Sequence, residues 1–207
     1  MKKVKLLMIL IVPVMMSCNQ NKSGNQASKD VDDKAMLVEN AKVSDENDEP
    51  QSVEDFIKEA ASGGLMEVEL GRYAQQNALN PRVKNFGAMM VRDHQKANDE
   101  LKSIVTGKNM TIPSAMENNH MNKVEEIQKE TGADFDRKYM DEMVDDHDKD
   151  VKKFRRQAEN GKDPEIKAFA AKTLEVLVIH QDSAKNIKEA LDRQNSNTGA
   201  ATKSNNR

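Results

Sequence analysis

The chain has few of the residues that build sheets or covalently crosslinked scaffolds. Aromatic residues make up 3% of its 207 residues, tryptophan is absent, and there are five prolines and one cysteine. Sheets favour β-branched and aromatic residues, whereas the Ala, Met, Glu and Lys that are abundant here are helix formers. The composition therefore predicts an all-α fold, and the length is typical of one domain with polar tails.

A surplus of positive charge is also missing. The formal net charge is −3, and Lys and Arg alternate with Asp and Glu along the long segments, as on ordinary solvated helix surfaces. Because a protein that binds a phosphate backbone presents a basic face, we expect no nucleic-acid partner. The sequence contains no nucleophile constellation, phosphate loop or acid/base pair typical of a hydrolase, and it identifies no protein partner.

The single cysteine, Cys18, ends a segment with the features of an export signal. A basic start is followed by an apolar run from Leu6 to Met16, which is too short for a membrane span of roughly 20 residues. The run ends in Met15-Met16-Ser17-Cys18, which resembles the bacterial lipobox, where an apolar residue and small residues precede the acylated cysteine. The alternative is an ordinary secretory signal with a chance cysteine.

The lipobox resemblance implies that residues 1–17 are removed as a signal peptide and that Cys18 carries the lipid. We therefore expect a lipoprotein of the cell envelope that contacts the membrane through Cys18. The next residue is Asn19 rather than Asp, which favours sorting to the outer membrane, with the domain in the periplasm or at the cell surface.

Two polar segments flank the region that has a burial pattern. Residues 18–50 contain mainly Asn, Gln, Ser, Lys, Asp and Glu without apolar periodicity, which predicts a disordered tether. Residues 194–207 are similarly polar and are predicted to form a disordered tail. The structured domain is therefore expected at residues 51–193.

Apolar residues recur at three- and four-residue steps in four long segments of this domain. Ser52 begins the first with the spacing of a capping box, while Asn80-Pro81 and Asp163-Pro164 begin the second and fourth with a cap followed by proline. A shorter helical stretch lies in the long connection between the second and third, near residues 115–129. The pattern predicts a four-helix bundle with an extra short helix in that connection.

One polar residue interrupts the apolar stripe of each long helix, and the four are Glu67, His94, His147 and His180. Glu67 and His94 are almost equally distant from the turn at Asn80, as are His147 and His180 from the turn at Asp163, so each pair is predicted to be level. All four should converge near the middle of the bundle. Since burying them without partners would cost several kcal/mol, we interpret them as ligands of a metal ion.

Two other interpretations of these residues stay open: a buried polar network or proton relay, and helix faces that are misassigned. Glu with His suits zinc, iron or manganese. Met90 and Met143 lie one turn before His94 and His147; such methionines are more often core residues than ligands, but thioether with imidazole would suit copper. Candidate partners for the ligands are Asp93, Asp136, Asp146 and Tyr139; the alternative for Asp93 and Asp146 is a solvated position beside the site.

The residues at these stripes are similar to those of a known family. The matching stretches include residues 63–71, 90–94 and 135–140, together with His147, Thr173 and His180. They resemble a bacterial family, domain of unknown function 4142, whose members are labelled predicted outer-membrane proteins and are related to the ferritin-like bundles. The resemblance covers about residues 53–190. It implies a ferritin-like four-helix bundle and supplies no activity.

The ferritin-like di-iron pattern has a Glu three residues before His on two helices. Val91, Val144 and Leu177 occupy the corresponding positions here, which counts against a standard di-iron oxidase. The sequence predicts an envelope lipoprotein that binds a metal ion through its Glu/His cluster. Two alternatives are a stress-related structural or partner-binding lipoprotein, in which the cluster is only a polar network, and a metal-dependent oxidoreductase. Whether the protein is an enzyme stays open.

Overall fold

The computed structural model describes the backbone of residues 51–108 and 110–204, with side chains in the last helix as far as residue 196. Cys18, the predicted signal peptide and the predicted tether lie outside the described residues. The described part forms five helices and contains no strand, which confirms the all-α prediction. The helices are α1 Val53–Asn77, α2 Pro81–Gly107, α3 Asn118–Ile127, α4 Gly132–Asn160 and α5 Pro164–Ser204.

Three of the described helices, α1, α2 and α5, begin where their capping residues predict. A side-chain oxygen of the cap accepts a hydrogen bond from a backbone N–H two or three residues further on, at 3.1 Å for Ser52, 2.8 Å for Asn80 and 3.0 Å for Asp163. Such caps satisfy N–H groups that the first helical turn leaves without partners. The short helix predicted in the long connection is α3.

The helices pack as two hairpins, α1 with α2 and α4 with α5, which contact each other through α2 and α5 and through α1 and α4. The short α3 lies against α1 and α4. This arrangement is a helical bundle. Its buried apolar residues form two clusters, one that includes Met66, Leu70, Met90, Tyr139 and Met143 and one that includes Phe56, Leu101, Phe154, Ile166 and Leu177.

A pair of glycines brings α1 and α2 into backbone contact. A Cβ atom added to Gly71 would lie 2.7 Å from the carbonyl oxygen of Gly87, and one added to Gly87 would lie 2.7 Å from the carbonyl oxygen of Gly71. Only glycine permits this approach. Because Gly71 lies one turn after Glu67, and Gly87 lies two turns before His94, the contact fixes the spacing of the two helices close to the polar residues.

The last helix corrects one predicted boundary. A disordered tail was expected from residue 194, but α5 continues to Ser204. No proline follows Pro164 to stop the helix, and pairs of opposite charge one turn apart support its surface, as between Lys188 and Asp192 at 3.2 Å. Among the described helices, none has an apolar stretch suited to crossing a bilayer.

Candidate metal centre

The four polar residues of the predicted cluster meet in the interior, between the two apolar clusters. All four are buried, and His94, at 6% exposure, is the most exposed of them. The ring centroids of the three histidines lie 5.2 to 5.8 Å apart. Each ring offers one nitrogen, and these three nitrogens lie within 4.8 Å of one another. The structure therefore brings together side chains from all four long helices.

Glu67 lies among the histidines, and its oxygens are close to two ring nitrogens, but the geometry of these contacts is not that of a hydrogen bond. Its Oε2 atom is 2.7 Å from Nδ1 of His94 and its Oε1 atom is 3.4 Å from Nε2 of His147. Both carboxylate oxygens, and Nε2 of His94, are buried and have no hydrogen-bond partner. Burial raises the pKa of Glu67 well above its usual range. Since buried polar atoms are nearly always paired, a hydrogen-bond donor or a cation beside these three atoms would stabilise the site.

The hydrogen bonds of His147 and His180 determine which of their nitrogens carry protons. Nδ1 of His147 lies 2.9 Å from the carbonyl oxygen of Met143, which can only accept, so this nitrogen donates. Nε2 of His180 lies 3.0 Å from Oδ2 of Asp93. A hydrogen bond from Arg92 lowers the pKa of Asp93, so Asp93 is ionised and the His180 nitrogen donates to it.

This proton assignment leaves two bare nitrogens, that is, ring nitrogens without a proton, facing each other. Nε2 of His147 and Nδ1 of His180 are 3.4 Å apart, and with both rings neutral neither can donate to the other. Two lone pairs at this distance are favourable only when a proton or a metal ion lies between them. From a Zn–N bond of about 2.1 Å, two ligands of a tetrahedral zinc would be about 3.4 Å apart, so the spacing fits a metal ion.

The histidines are neutral at physiological pH. Burial lowers the pKa of His94 to about 4 and that of His180 to about 3, and it lowers the pKa of His147 as well. Neutral imidazole is the form that ligates metals. With the carboxylate of Glu67, these rings supply three nitrogens and oxygen, a donor set suited to zinc, copper, iron or manganese.

The cluster adjoins two spaces. A void of about 10 Å³ lies among residues that include Glu67, His94 and Asp150, which is roughly the room that one water molecule needs. A cleft of about 90 Å³ extends from His94 and His180 past Asp93 toward the protein exterior. An ion or a small molecule thus has a route to His94 and His180.

The two methionines are core residues. Met90 and Met143 are fully buried in the first apolar cluster, with neighbours that include Leu70 and Phe86. This placement agrees with the expectation that methionines at helical spacing fill the core. Met143 contributes to the cluster through its backbone, since its carbonyl oxygen orients the ring of His147.

Asp93 lies beside the cluster, whereas Tyr139 lies about two helical turns before His147 on α4 and packs against Phe86 and Phe135. Asp93 accepts from His180, as described. Tyr139 is fully buried, and its hydroxyl group has no hydrogen-bond partner. Burial, and to a smaller extent the charge of Glu67, raises the pKa of Tyr139, so the hydroxyl group stays protonated and can serve as a donor.

Asp136 does not lie beside the cluster, which corrects its predicted place. It is about three helical turns from His147 along α4. Its two oxygens accept hydrogen bonds from the backbone N–H groups of Leu79 and Asn80, at 3.0 and 2.7 Å. Asp136 therefore holds the turn between α1 and α2. This contact joins residues that are distant in sequence, and no local pattern signals it.

Two acidic residues near the cluster were not among the predicted ligands. Asp146 and Asp150 lie on α4 on either side of His147, and each offers an oxygen within 4.8 Å of the oxygens offered by Glu67 and by the other. They share a helix face, since they are four residues apart. His120, which is half-buried, lies over this side of the bundle with Nδ1 2.6 Å from Oγ of Ser62.

Comparison with known proteins gives a match at the level of family. A family model described as a domain of unknown function, DUF4142, matches residues 38–187. No curated protein and no solved structure matches the chain. The matched range contains all four residues of the cluster.

Proposed function

The chain belongs to the DUF4142 family, and we propose that it is a cell-envelope lipoprotein whose helical bundle binds a transition-metal ion through Glu67, His94, His147 and His180. The family description carries no activity, so the site itself supports the proposal. The observation that carries it is the pair of bare nitrogens, Nε2 of His147 and Nδ1 of His180, which face each other at 3.4 Å.

The groups around the ligands prepare them for an ion. The Met143 carbonyl and the Asp93 carboxylate hold the protons of the two rings on their outer sides, so the inner nitrogens are free to bind. Partners of this kind fix the tautomer and the ring orientation of metal-bound histidines. A bound ion would supply Lewis-acid chemistry or, if it were copper, iron or manganese, a redox couple.

The affinities of the site should follow the usual order for nitrogen and oxygen ligands, with copper above zinc, and zinc above iron and manganese.

The anchoring part of the proposal rests on the sequence ending in Cys18. An acylated Cys18 would hold the bundle at the membrane, with outer-membrane sorting favoured by Asn19.

The test is metal analysis of the purified full-length chain. We expect up to one equivalent of copper, zinc, iron or manganese per histidine cluster, and a gain of about 2.7 kcal/mol in unfolding free energy at a hundredfold excess of ion over its dissociation constant. His94→Ala, His147→Ala and His180→Ala should each abolish this gain. The control is His120→Ala, because His120 bonds to Ser62 outside the cluster. If none of the four ions binds in a histidine-dependent way, the cluster is a polar network with a structural or partner-binding role.

One observation favours a second function, a metal-dependent oxidoreductase. The cleft of about 90 Å³ that reaches His94 and His180 would admit a molecule as small as dioxygen or peroxide. Turnover of either by the metal-loaded chain, lost in His180→Ala, would support this function. Stable metal loading without turnover would leave binding alone.

A further inference from the structure

We infer that Glu67, Asp146 and Asp150 form a second cation site, specific for a hard divalent ion of the Mn²⁺, Mg²⁺ or Ca²⁺ class. The site goes beyond the proposed histidine site and shares only Glu67 with it. Each of the three residues offers one carboxylate oxygen, and these oxygens lie within 4.8 Å of one another. Carboxylate oxygens are the ligands that suit hard ions of this class.

Unpartnered oxygens point to a ligand at this place. Asp146 is 7% exposed and Glu67 is 1% exposed, yet Oδ2 of Asp146 and both oxygens of Glu67 have no hydrogen-bond partner. A buried carboxylate oxygen without a donor is costly. A cation between the carboxylates would provide these oxygens with a partner.

The neighbouring lysines do not neutralise the group. Nζ of Lys123 lies 3.7 Å from Oδ1 of Asp146, and Nζ of Lys153 lies 3.0 Å from Oδ1 of Asp150. Each lysine is shared with a further carboxylate, Lys123 with Glu142 and Lys153 with Glu59. Two ammonium groups therefore serve five carboxyl groups, including Glu67. A divalent ion would displace the protons that burial retains on Glu67 and Asp146.

The carboxylates are accessible to a hydrated ion. A cleft of about 330 Å³ reaches Asp146 and Asp150, and its lining also includes His120, Lys123 and Lys153. It is separate from the cleft beside His180. Hard ions such as Mg²⁺ and Mn²⁺ keep several water ligands when bound, so a site that is open to a cleft and supplies three carboxylates suits them.

The experiment uses Mn²⁺ as the probe and the full-length chain, with one equivalent of Zn²⁺ added first to fill the histidine site. Electron paramagnetic resonance of free Mn²⁺ measures how much is bound. We expect one equivalent to bind to wild type. Asp146→Asn and Asp150→Asn should weaken binding by at least about tenfold, since even changes that only reorient a ligand cost 10- to 100-fold. The matched control is Asp145→Asn, an exposed position on the same helix.

Further variants separate this site from the histidine site. His147→Ala and His180→Ala should lose Zn²⁺ but keep Mn²⁺, whereas Glu67→Gln should weaken both. Circular dichroism checks that each variant folds, and the wild-type titration tests the site without any substitution. Failure of wild type to bind Mn²⁺ would overturn the inference, as would equal binding by Asp150→Asn and Asp145→Asn, while Zn²⁺ binding through the histidines would still stand. Loss of Mn²⁺ in His147→Ala with retention in Asp150→Asn would also overturn it, because the ion would then occupy the histidine site.

Discussion

The carboxylate of Asp93 lies 3.0 Å from Nε2 of His180 and determines which nitrogen of that ring can bind a metal ion. The hydrogen bond keeps a proton on Nε2, so Nδ1 is left with its lone pair toward His147. Asp93 is itself oriented by the guanidinium of Arg92, with two contacts of 2.7 Å. A surface ion pair is thereby connected, through one histidine, to the centre of the bundle.

Replacing Asp93 with Asn should weaken metal binding without unfolding the protein. The amide carries no charge to hold the His180 tautomer, and the loss of such a partner typically costs about 10- to 100-fold in affinity. Because Asp93 is partly exposed, the stability of the ion-free protein should change little. Zn²⁺ competition titration measures the affinity, with Asp99→Asn, an exposed residue on the same helix, as the control. Equal affinities for the two variants would contradict the role of Asp93.

The histidines should lower the stability of the ion-free protein as the pH drops from about 6.5 toward 4. The pKa values of His94 and His180 are about 4 and about 3 in the folded state, below the value of about 6.5 expected after unfolding. The unfolded chain therefore binds more protons in this range, and each histidine adds a slope of up to about 1.4 kcal/mol per pH unit. Urea unfolding in the presence of a chelator, at a series of pH values, measures the slope.

The variant His94→Gln/His180→Gln provides the comparison for this pH dependence. Between pH 4 and 6.5 its stability should rise less with pH than that of wild type, because two of the groups that take up protons on unfolding are gone. Burial raises the pKa of Glu67 and of Asp146, so their contribution has the opposite sign: it is present at low pH, is lost as the pH rises, and offsets part of the histidine slope in both proteins. Identical slopes for wild type and variant would show that the histidines do not titrate as described.

Gly71→Ala should destabilise the bundle. The added methyl group would lie 2.7 Å from the carbonyl oxygen of Gly87, and backbone cannot move aside as a flexible side chain can. Overpacking of this kind costs about 1 to 3 kcal/mol, which thermal unfolding measures. Gly63→Ala is the control, because its added Cβ meets nothing within 4 Å and alanine favours the helix by up to about 1 kcal/mol. A loss of stability in both variants, or in neither, would contradict the close contact of α1 and α2.

Cys18→Ser should prevent acylation. If the segment ending in Cys18 is a lipoprotein signal, wild type incorporates labelled fatty acid in bacteria and the serine variant does not, because only a thiol can receive the lipid. The variant should also keep its signal peptide, which mass spectrometry would detect. Absence of label from wild type would refute the lipoprotein prediction and leave the description of the bundle unchanged.

The sequence predicts those parts of the structure that depend on contacts between residues close together in the chain. Ser52, Asn80 and Asp163 cap helices through contacts within three residues, and the two tight turns make Glu67 level with His94 and His147 level with His180. The role of Asp136 depends on α4 reaching a turn between two other helices, so its position in the chain gives no sign of it. Asp150 lies one turn beyond His147, and the periodicity alone would extend the buried stripe to it.

The polar layer between the two apolar clusters also favours one register of the helices. If α5 slid along α4 by one turn, His180 would lose its hydrogen bond to Asp93, and a buried ring nitrogen without a partner is costly. Ala or Leu at these positions would pack about equally well in neighbouring registers. A single polar position is known to select one alignment of packed helices in this way, and here each of the four long helices contributes one.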